Sequence, residues 1–191
     1  MNHSATETEI KLAMPDAPTA RKLLRDTGFK VVRRRVFENN IVFDTPRHTL
    51  RRASTLLRLR QAGRLITVTY KGKPAAGKHK SREELELPVA NIAAMAAIFE
   101  RLGYSPVFRY EKYRTEYRLE RGGGMAMIDE TPVGTYMELE GSPAWIDRMA
   151  RRMDFAEDEY ITASYARLYL EWCRKLRVTP GNMVFGPALR S

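Results

Sequence analysis

Glu7, Glu9 and Lys11 stand two residues apart in the stretch Glu7-Thr8-Glu9-Ile10-Lys11, so on an extended strand they share one face while Ile10 and Leu12 take the other. A single stretch of this kind describes a solvated sheet face. The spacing recurs at Arg58-Leu59-Arg60, Arg82-Glu83-Glu84-Leu85-Glu86, Lys112-Tyr113-Arg114-Thr115-Glu116 and Glu138-Leu139-Glu140. If these strands share a sheet, one face gathers several carboxylates and several cations at close quarters. Carboxylates hold hard divalent ions, and Lys and Arg hold phosphate oxygens. Those residue types point to metal-assisted work on a polyphosphate.

Such a face needs an enclosure, and a closed barrel with a charged interior supplies one. Residues 5–14 read as a first strand ended by Pro15. A short helix follows, with Pro18 near its first turn, Leu23 and Leu24 facing the core and Gly28 at its C-terminal turn. Residues 29–37 and 40–45 read as a strand pair turned at Asn39-Asn40. The basic run Arg33-Arg34-Arg35 cannot place all three side chains on one face. After Asp44-Thr45-Pro46, an irregular connection from Leu50 leads to a strand over 54–61. This turns through Ala62-Gly63 into residues 65–71, whose period of two groups Thr67, Thr69 and Lys71.

Residues 73–80 are basic and loop-like, suited to a lid or mouth over an anion. A strand over 82–89 precedes a helix capped by Asn91 and ending at Gly103. Strands follow at about 107–119, at 125–129 and at 136–141, joined by Gly122-Gly123-Gly124 and by Pro132 to Gly134. Ser142-Pro143 starts another helix, and Thr162 is expected to cap a last one running to about Leu176. The tally is eight or nine antiparallel strands and four helices. Residues 1–176 are expected to form one domain, with 177–191 as a C-terminal tail that is flexible or plugs one end of the barrel.

The chain of 191 residues suits one domain, and 43% hydrophobic with 29% charged residues excludes general disorder. A net charge of +10 calls for an anionic partner. The sole cysteine, Cys173, excludes an internal disulfide and a cysteine-based zinc site, and its apolar helical setting marks a core residue. His3, His48 and His79 are scattered, and none reads as a metal ligand. The polar, acidic start and the lack of a membrane-length apolar run lead to the expectation of a cytoplasmic protein with no membrane partner.

Taken in order, Glu7-x-Glu9-x-Lys11, Phe43-Asp44-Thr45 with Leu50, Leu57-Arg58-x-Arg60, Thr69-x-Lys71, Arg82-x-Glu84-x-Glu86, Lys112-x-Arg114, Asp129 and Glu138-x-Glu140-Gly141 resemble the CYTH superfamily of triphosphate tunnel metalloenzymes. That group includes class IV adenylate cyclases, thiamine triphosphatases and inorganic triphosphatases. The resemblance covers roughly residues 5–170 and implies an α+β fold, an eight-stranded antiparallel closed β-barrel with helices packed outside. It further implies that Lys11, Arg58, Arg60, Lys71 and Arg114, with Arg82 and Lys112 beside them, bind a triphosphate. Glu7, Glu9, Glu138 and Glu140 would hold Mg²⁺ or Mn²⁺, assisted by Asp129 and by Glu84 or Glu86. Catalysis would fall to Glu7, Glu9, Lys11 and Lys71.

Two reactions are open on this reading. A triphosphatase needs only access for water and would cleave a phosphoanhydride of inorganic triphosphate, thiamine triphosphate or a nucleotide. A class IV adenylate cyclase must also fix adenine and bring the ribose 3′-hydroxyl to the α-phosphate. The hydrolase is the simpler expectation. A noncatalytic polyphosphate or nucleic-acid binder is a third alternative, for which Tyr104, Phe108, Tyr110 and Tyr113 would supply stacking faces. The paired carboxylates repel phosphate and disfavour nucleic acid. A triphosphate-containing small molecule is the expected partner, and the resemblance admits a homodimer although no stretch specifies an interface.

Overall fold

The computed structural model describes residues 5–186. His3 and residues 187–191 lie outside that range. Among the described residues, eight strands close into an antiparallel barrel: β1 (Ala5–Met14), β2 (Lys30–Asp44), β3 (Leu56–Ala62), β4 (Leu65–Lys71), β5 (Lys80–Pro88), β6 (Ser105–Arg118), β7 (Gly124–Thr131) and β8 (Gly134–Gly141). Their order around the barrel is β1-β5-β4-β3-β2-β6-β7-β8. The α+β tunnel architecture expected from the sequence is therefore the one observed.

The alternation that marks the strands also sorts the barrel's two sides. On β1, Ile10 and Leu12 point outward into a core under α1 (Ala17–Asp26) and α4 (Pro143–Arg152), where Leu24, Trp145, Ile146 and Met149 meet Ile128, Met137 and Leu139. Asp16 caps α1 by accepting from the Thr19 N–H at 2.7 Å, and Ser142 caps α4 by accepting from Trp145. Gly124 is required where β7 begins: a Cβ there would come within 2.5 Å of the Glu140 carbonyl and of the Trp145 ring. A second outer core joins Phe43 and Leu59 to Phe99 of α3 (Ile92–Arg101), the helix that Asn91 caps as expected. Cys173 is buried on α5 (Tyr165–Leu176), on the face where Tyr165 and Tyr169 of the same helix meet Tyr110 of β6.

Three boundaries differ from the sequence expectation. Asn39-Asn40 does not turn the chain: β2 is one continuous strand of 15 residues. Both side chains find partners inside the ladder, Asn40 Oδ1 accepting from Arg60 Nε at 3.0 Å and Asn39 Oδ1 from Arg109 Nε at 2.9 Å. The local turn preference of Asn is outweighed by pairing on both edges. The connection after Asp44 is not irregular but holds a short helix, α2 (Thr49–Arg52), so five α-helices are present among the described residues instead of four. The last helix is capped by Ser164, two residues beyond Thr162, because Thr162 still belongs to an extended segment whose Ile161 bridges to Lys11.

Beyond α5, Met183 lies parallel to Tyr110, exchanging backbone hydrogen bonds with Arg109 and Glu111. This segment fills the edge of β6 that β7, which pairs only from Tyr113 onward, leaves open. Phe185 N–H adds a bond to Glu111 Oε2 at 3.0 Å.

Candidate functional site

Residues of β1 to β6 and of β8 line a cavity of about 1910 Å³. Period-two alternation delivers Glu7, Glu9 and Lys11 from β1, Arg58 and Arg60 from β3 and Lys71 from β4. Arg82, Glu84 and Glu86 arrive from β5, Lys112 and Arg114 from β6, and Glu138 and Glu140 from β8. Asp129, on β7, is buried behind Lys112 and Arg114 and does not line the cavity. The structure thus brings these charges together in one cavity, but Glu116, which continues the Lys112-x-Arg114 spacing, pairs with Arg33 and does not line it.

The interior divides into sectors by register. Glu9 stands opposite Glu140, and Lys11 opposite Glu138, across the β1–β8 pairing. Lys11 Nζ lies 3.2 Å from both Glu9 Oε1 and Glu138 Oε1, and Lys80 Nζ reaches Glu9 at 2.7 Å. Burial pushes the Glu9 carboxyl up, but Lys11 and Lys80 outweigh it and hold the group well below the carboxylate range. Glu138 is likewise held low against its burial, chiefly by Arg114 and Lys11. Glu140 behaves oppositely. Burial raises it, Glu7, Glu138 and Glu9 add repulsion that Arg114 only partly offsets, and its carboxyl rises to about 7.

On the other side, cations are anchored by acceptors behind or beside them. Lys71 Nζ donates to both oxygens of Glu7 at 2.6 Å and lies 3.1 Å from Glu84. Arg58 donates to Thr69 Oγ1 at 2.9 Å, to Tyr110 Oη at 3.2 Å and to Glu86 Oε2 at 3.4 Å. Asp129 accepts from Lys112 Nζ at 2.7 Å, from Arg114 Nε and Nη2 at 2.6 Å each, and from Tyr165 Oη at 2.6 Å. Arg114 Nη2 also contacts Glu138 and so stands between the two carboxylates. Even with these partners, the buried Nε of Arg58 and the buried Nε of Arg82 have no hydrogen-bond acceptor among the described residues.

Several contributors were not expected from the sequence. Glu38 and Asn40 face inward from the middle of β2, opposite Lys112 and Tyr110. Placing a turn at Asn39-Asn40 hid their alternation, which a continuous strand would have shown. Lys80 extends the Arg82-x-Glu84 alternation by one step toward the N-terminus, a signal present in the sequence but assigned to the preceding loop. Tyr165 enters from a helix, where strand alternation gives no cue. Its ring lies 5.1 Å from both Lys11 Nζ and Lys112 Nζ. The loop over 73–79 lines the mouth through Pro74 to Gly77, and His79 reaches Asp147 of α4 at 2.7 Å. Of the Arg33-Arg34-Arg35 run, Arg33 pairs with Glu116 and Arg35 with Glu130, away from the cavity.

The acidic sector suits a divalent cation in two respects. Glu7, Glu9, Glu138 and Glu140 offer only hard oxygen donors, and Glu140, raised first by burial, is raised further by Glu7, Glu138 and Glu9 against the opposing pull of Arg114, so the carboxylates repel one another. Among the described residues, no three carboxylate, His or Cys side chains already form a ligand cluster, since Lys11, Lys71 and Arg114 occupy the carboxylates instead.

Comparison with known proteins places the chain by family and fold. The family model described as CYTH domain matches residues 5–177. A Methanocaldococcus jannaschii protein provisionally named an adenylate cyclase is 29% identical over 173 residues, covering 85% of this chain and 97% of its own. A Vibrio parahaemolyticus structure with a similar provisional name superposes with a TM-score of 0.73 at 18% identity, over 85% of this chain and 96% of that one. A Hippeastrum structure superposes with a TM-score of 0.62 at 21% identity, over 86% and 95%. That protein, also provisionally named an adenylyl cyclase, is described as having a dominant triphosphatase activity.

Proposed function

The chain belongs to the CYTH domain family, and we propose that it is a divalent-metal-dependent triphosphatase cleaving inorganic triphosphate or an organic triphosphate such as thiamine triphosphate or a nucleotide. The observation that carries this reading is the gathering of Lys11, Arg58, Arg60, Lys71, Arg82, Lys112 and Arg114 around one cavity that also holds Glu7, Glu9, Glu138 and Glu140. Cations of this kind hold phosphate oxygens, and the carboxylates hold a hard divalent ion. Arg58 and Arg60 would fork onto the phosphate chain from β3, Lys11 and Lys71 from β1 and β4, and Lys112 and Arg114 from β6.

Glu7, Glu9, Glu138 and Glu140 would hold Mg²⁺ or Mn²⁺, with Glu84 and Glu86 nearest the phosphate-binding arginine. When bound, such an ion supplies charge neutralisation and polarises a phosphoryl oxygen. Lys11, set between Glu9 and Glu138, would place its ammonium at the boundary between phosphate and metal. Asp129 is already committed to Lys112, Arg114 and Tyr165, so its part is to orient them.

Hydrolysis is favoured over cyclisation by the state of the aromatic wall. Phe108 packs between Tyr110 and Tyr169, and the Tyr110 and Tyr165 hydroxyls are engaged with Arg58 and Asp129. These rings hold one another and the cations, with little free face for a base. The names of the Methanocaldococcus and Vibrio proteins support adenylate cyclisation as the second reading. A product assay with Mg²⁺ and Mn²⁺ on inorganic triphosphate, thiamine triphosphate and ATP decides. Orthophosphate release establishes the triphosphatase; cyclic AMP with diphosphate rejects it in favour of the cyclase. Glu9→Gln and Glu138→Gln are expected to abolish metal-dependent turnover, and undiminished turnover at saturating metal would remove them from the ligand set.

A further inference from the structure

Glu38 stands behind the cation layer on β2, opposite Lys112 of β6 and Ala62 of β3, and is 1% exposed. Arg60 Nε lies 3.5 Å and Lys112 Nζ 3.6 Å from its Oε2. Charges attract at those separations, yet neither carboxylate oxygen has a hydrogen-bond partner among the described residues. Burial pushes the carboxyl up, but Lys112 and Arg60, then Arg114 and Arg58, bring it down to about 2, so it is ionised. A buried charge without hydrogen bonds does not repay its desolvation through geometry.

The contrast with Asp129, behind the same lysine, separates two roles. Asp129 fixes direction, through hydrogen bonds from Lys112, from Nε and Nη2 of Arg114 and from Tyr165. Arg60 is directed by Asn40 Oδ1 at 3.0 Å. Neither cation that faces Glu38 therefore depends on it for orientation. What Glu38 adds is negative charge next to side chains that line the cavity.

We propose that Glu38 is a counter-charge that loosens the tunnel's hold on polyphosphate. The inference rests on the triphosphate reading of the cavity. An anion seated on Arg60 and Lys112 lies one side chain away from Glu38, in a buried setting where the repulsion is weakly screened. The repulsion acts on substrate and product anions alike, so it weakens both and speeds the departure of cleaved phosphate. Removing the charge tightens both and slows release.

Calorimetric titration of the full chain tests this, with inorganic triphosphate in metal-free buffer and with diphosphate in Mg²⁺. Glu38→Gln is expected to lower both dissociation constants by about tenfold, while Glu38→Asp, which keeps the charge, stays near the unmodified value. A role limited to packing or to orienting the cations predicts weaker binding in both variants. If Glu38→Gln does not fold, as judged by its melting transition, Glu38→Met offers a neutral side chain of similar volume for the same titration. Unchanged or weaker binding by the folded neutral variant overturns the proposal and leaves the triphosphate reading intact. Failure of the unmodified chain to bind triphosphate overturns both.

Discussion

Asp129 and Glu140 sit on adjacent strands of one barrel, both facing its interior, and the protein treats them in opposite ways. Asp129 is surrounded by donors: an ammonium, two guanidinium nitrogens and a phenol. Glu140 is raised to about 7 first by burial and then by the crowding of Glu7, Glu138 and Glu9. The first corner is neutralised by donors of the chain itself; in the second, Arg114 offsets the repulsion only in part. Their difference follows from register, because Arg114 is the cross-strand partner of Asp129 and Glu9 that of Glu140.

Breaking the completed corner should have the largest effect. Asp129→Ala leaves Lys112 and Arg114 without their main counter-charge in the barrel interior. A loss of about 3–5 kcal/mol is expected, read as a lower urea midpoint at pH 7. A cost below about 1 kcal/mol would show that the corner is not held by this carboxylate.

The opposite change at the other corner should stabilise the metal-free protein. The folded-state carboxyl of Glu140 is raised, so its stabilising contribution is complete below the unfolded value and is lost as pH rises through about 7. Glu140→Gln is therefore expected to raise the stability of the metal-free protein at pH 8 by on the order of 2 kcal/mol and to make little difference at pH 4. Mg²⁺ should raise the melting temperature of the unmodified protein more than that of the variant. A variant that melts lower than the parent at pH 8 would contradict the crowded-carboxylate account.

Tyr165→Phe refines the comparison by removing one of Asp129's four hydrogen bonds without altering charge. Bonds to charged groups contribute about 1.5–3 kcal/mol, and the lower half of that range applies because the cations remain. Unfolding in urea measures it. An unchanged midpoint would mean that the two cations satisfy Asp129 alone.

How far this contrast could be read from the sequence depends on the kind of element involved. Charges repeated at every second residue revealed the tunnel, because strand geometry turns that spacing directly into a shared face. Local turn propensity misled at Asn39-Asn40, where pairing with Arg60 and Arg109 overrides it, and the error concealed Glu38. Tyr165 depends on where α5 crosses the barrel, which no local pattern specifies. Which carboxylates end up satisfied is a matter of cross-strand register, and spacing within each strand is silent on it.

A carboxylate can also be satisfied without any cation, and Asp44 isolates that case outside the acidic and basic sectors. It ends β2 and accepts from the backbone N–H groups of Thr45 at 2.7 Å and of Leu50 and Arg51 at 2.9 Å each, which is what ties α2 to the barrel rim. Burial pushes the carboxyl up, but the Arg51, Leu50 and Thr45 bonds prevail and leave it below its ordinary value. Its contribution is thus present above the unfolded value and disappears as pH falls through the folded one. Asp44→Asn keeps the shape but weakens the charge-assisted bonds, and the expected cost is about 1 kcal/mol at pH 7, shrinking toward zero in acid. Stability curves of parent and variant should therefore converge below about pH 4. Curves that stay parallel into acid would mean that the carboxylate's charge contributes nothing at this rim, and that backbone dipoles do not substitute for the cations that hold Asp129.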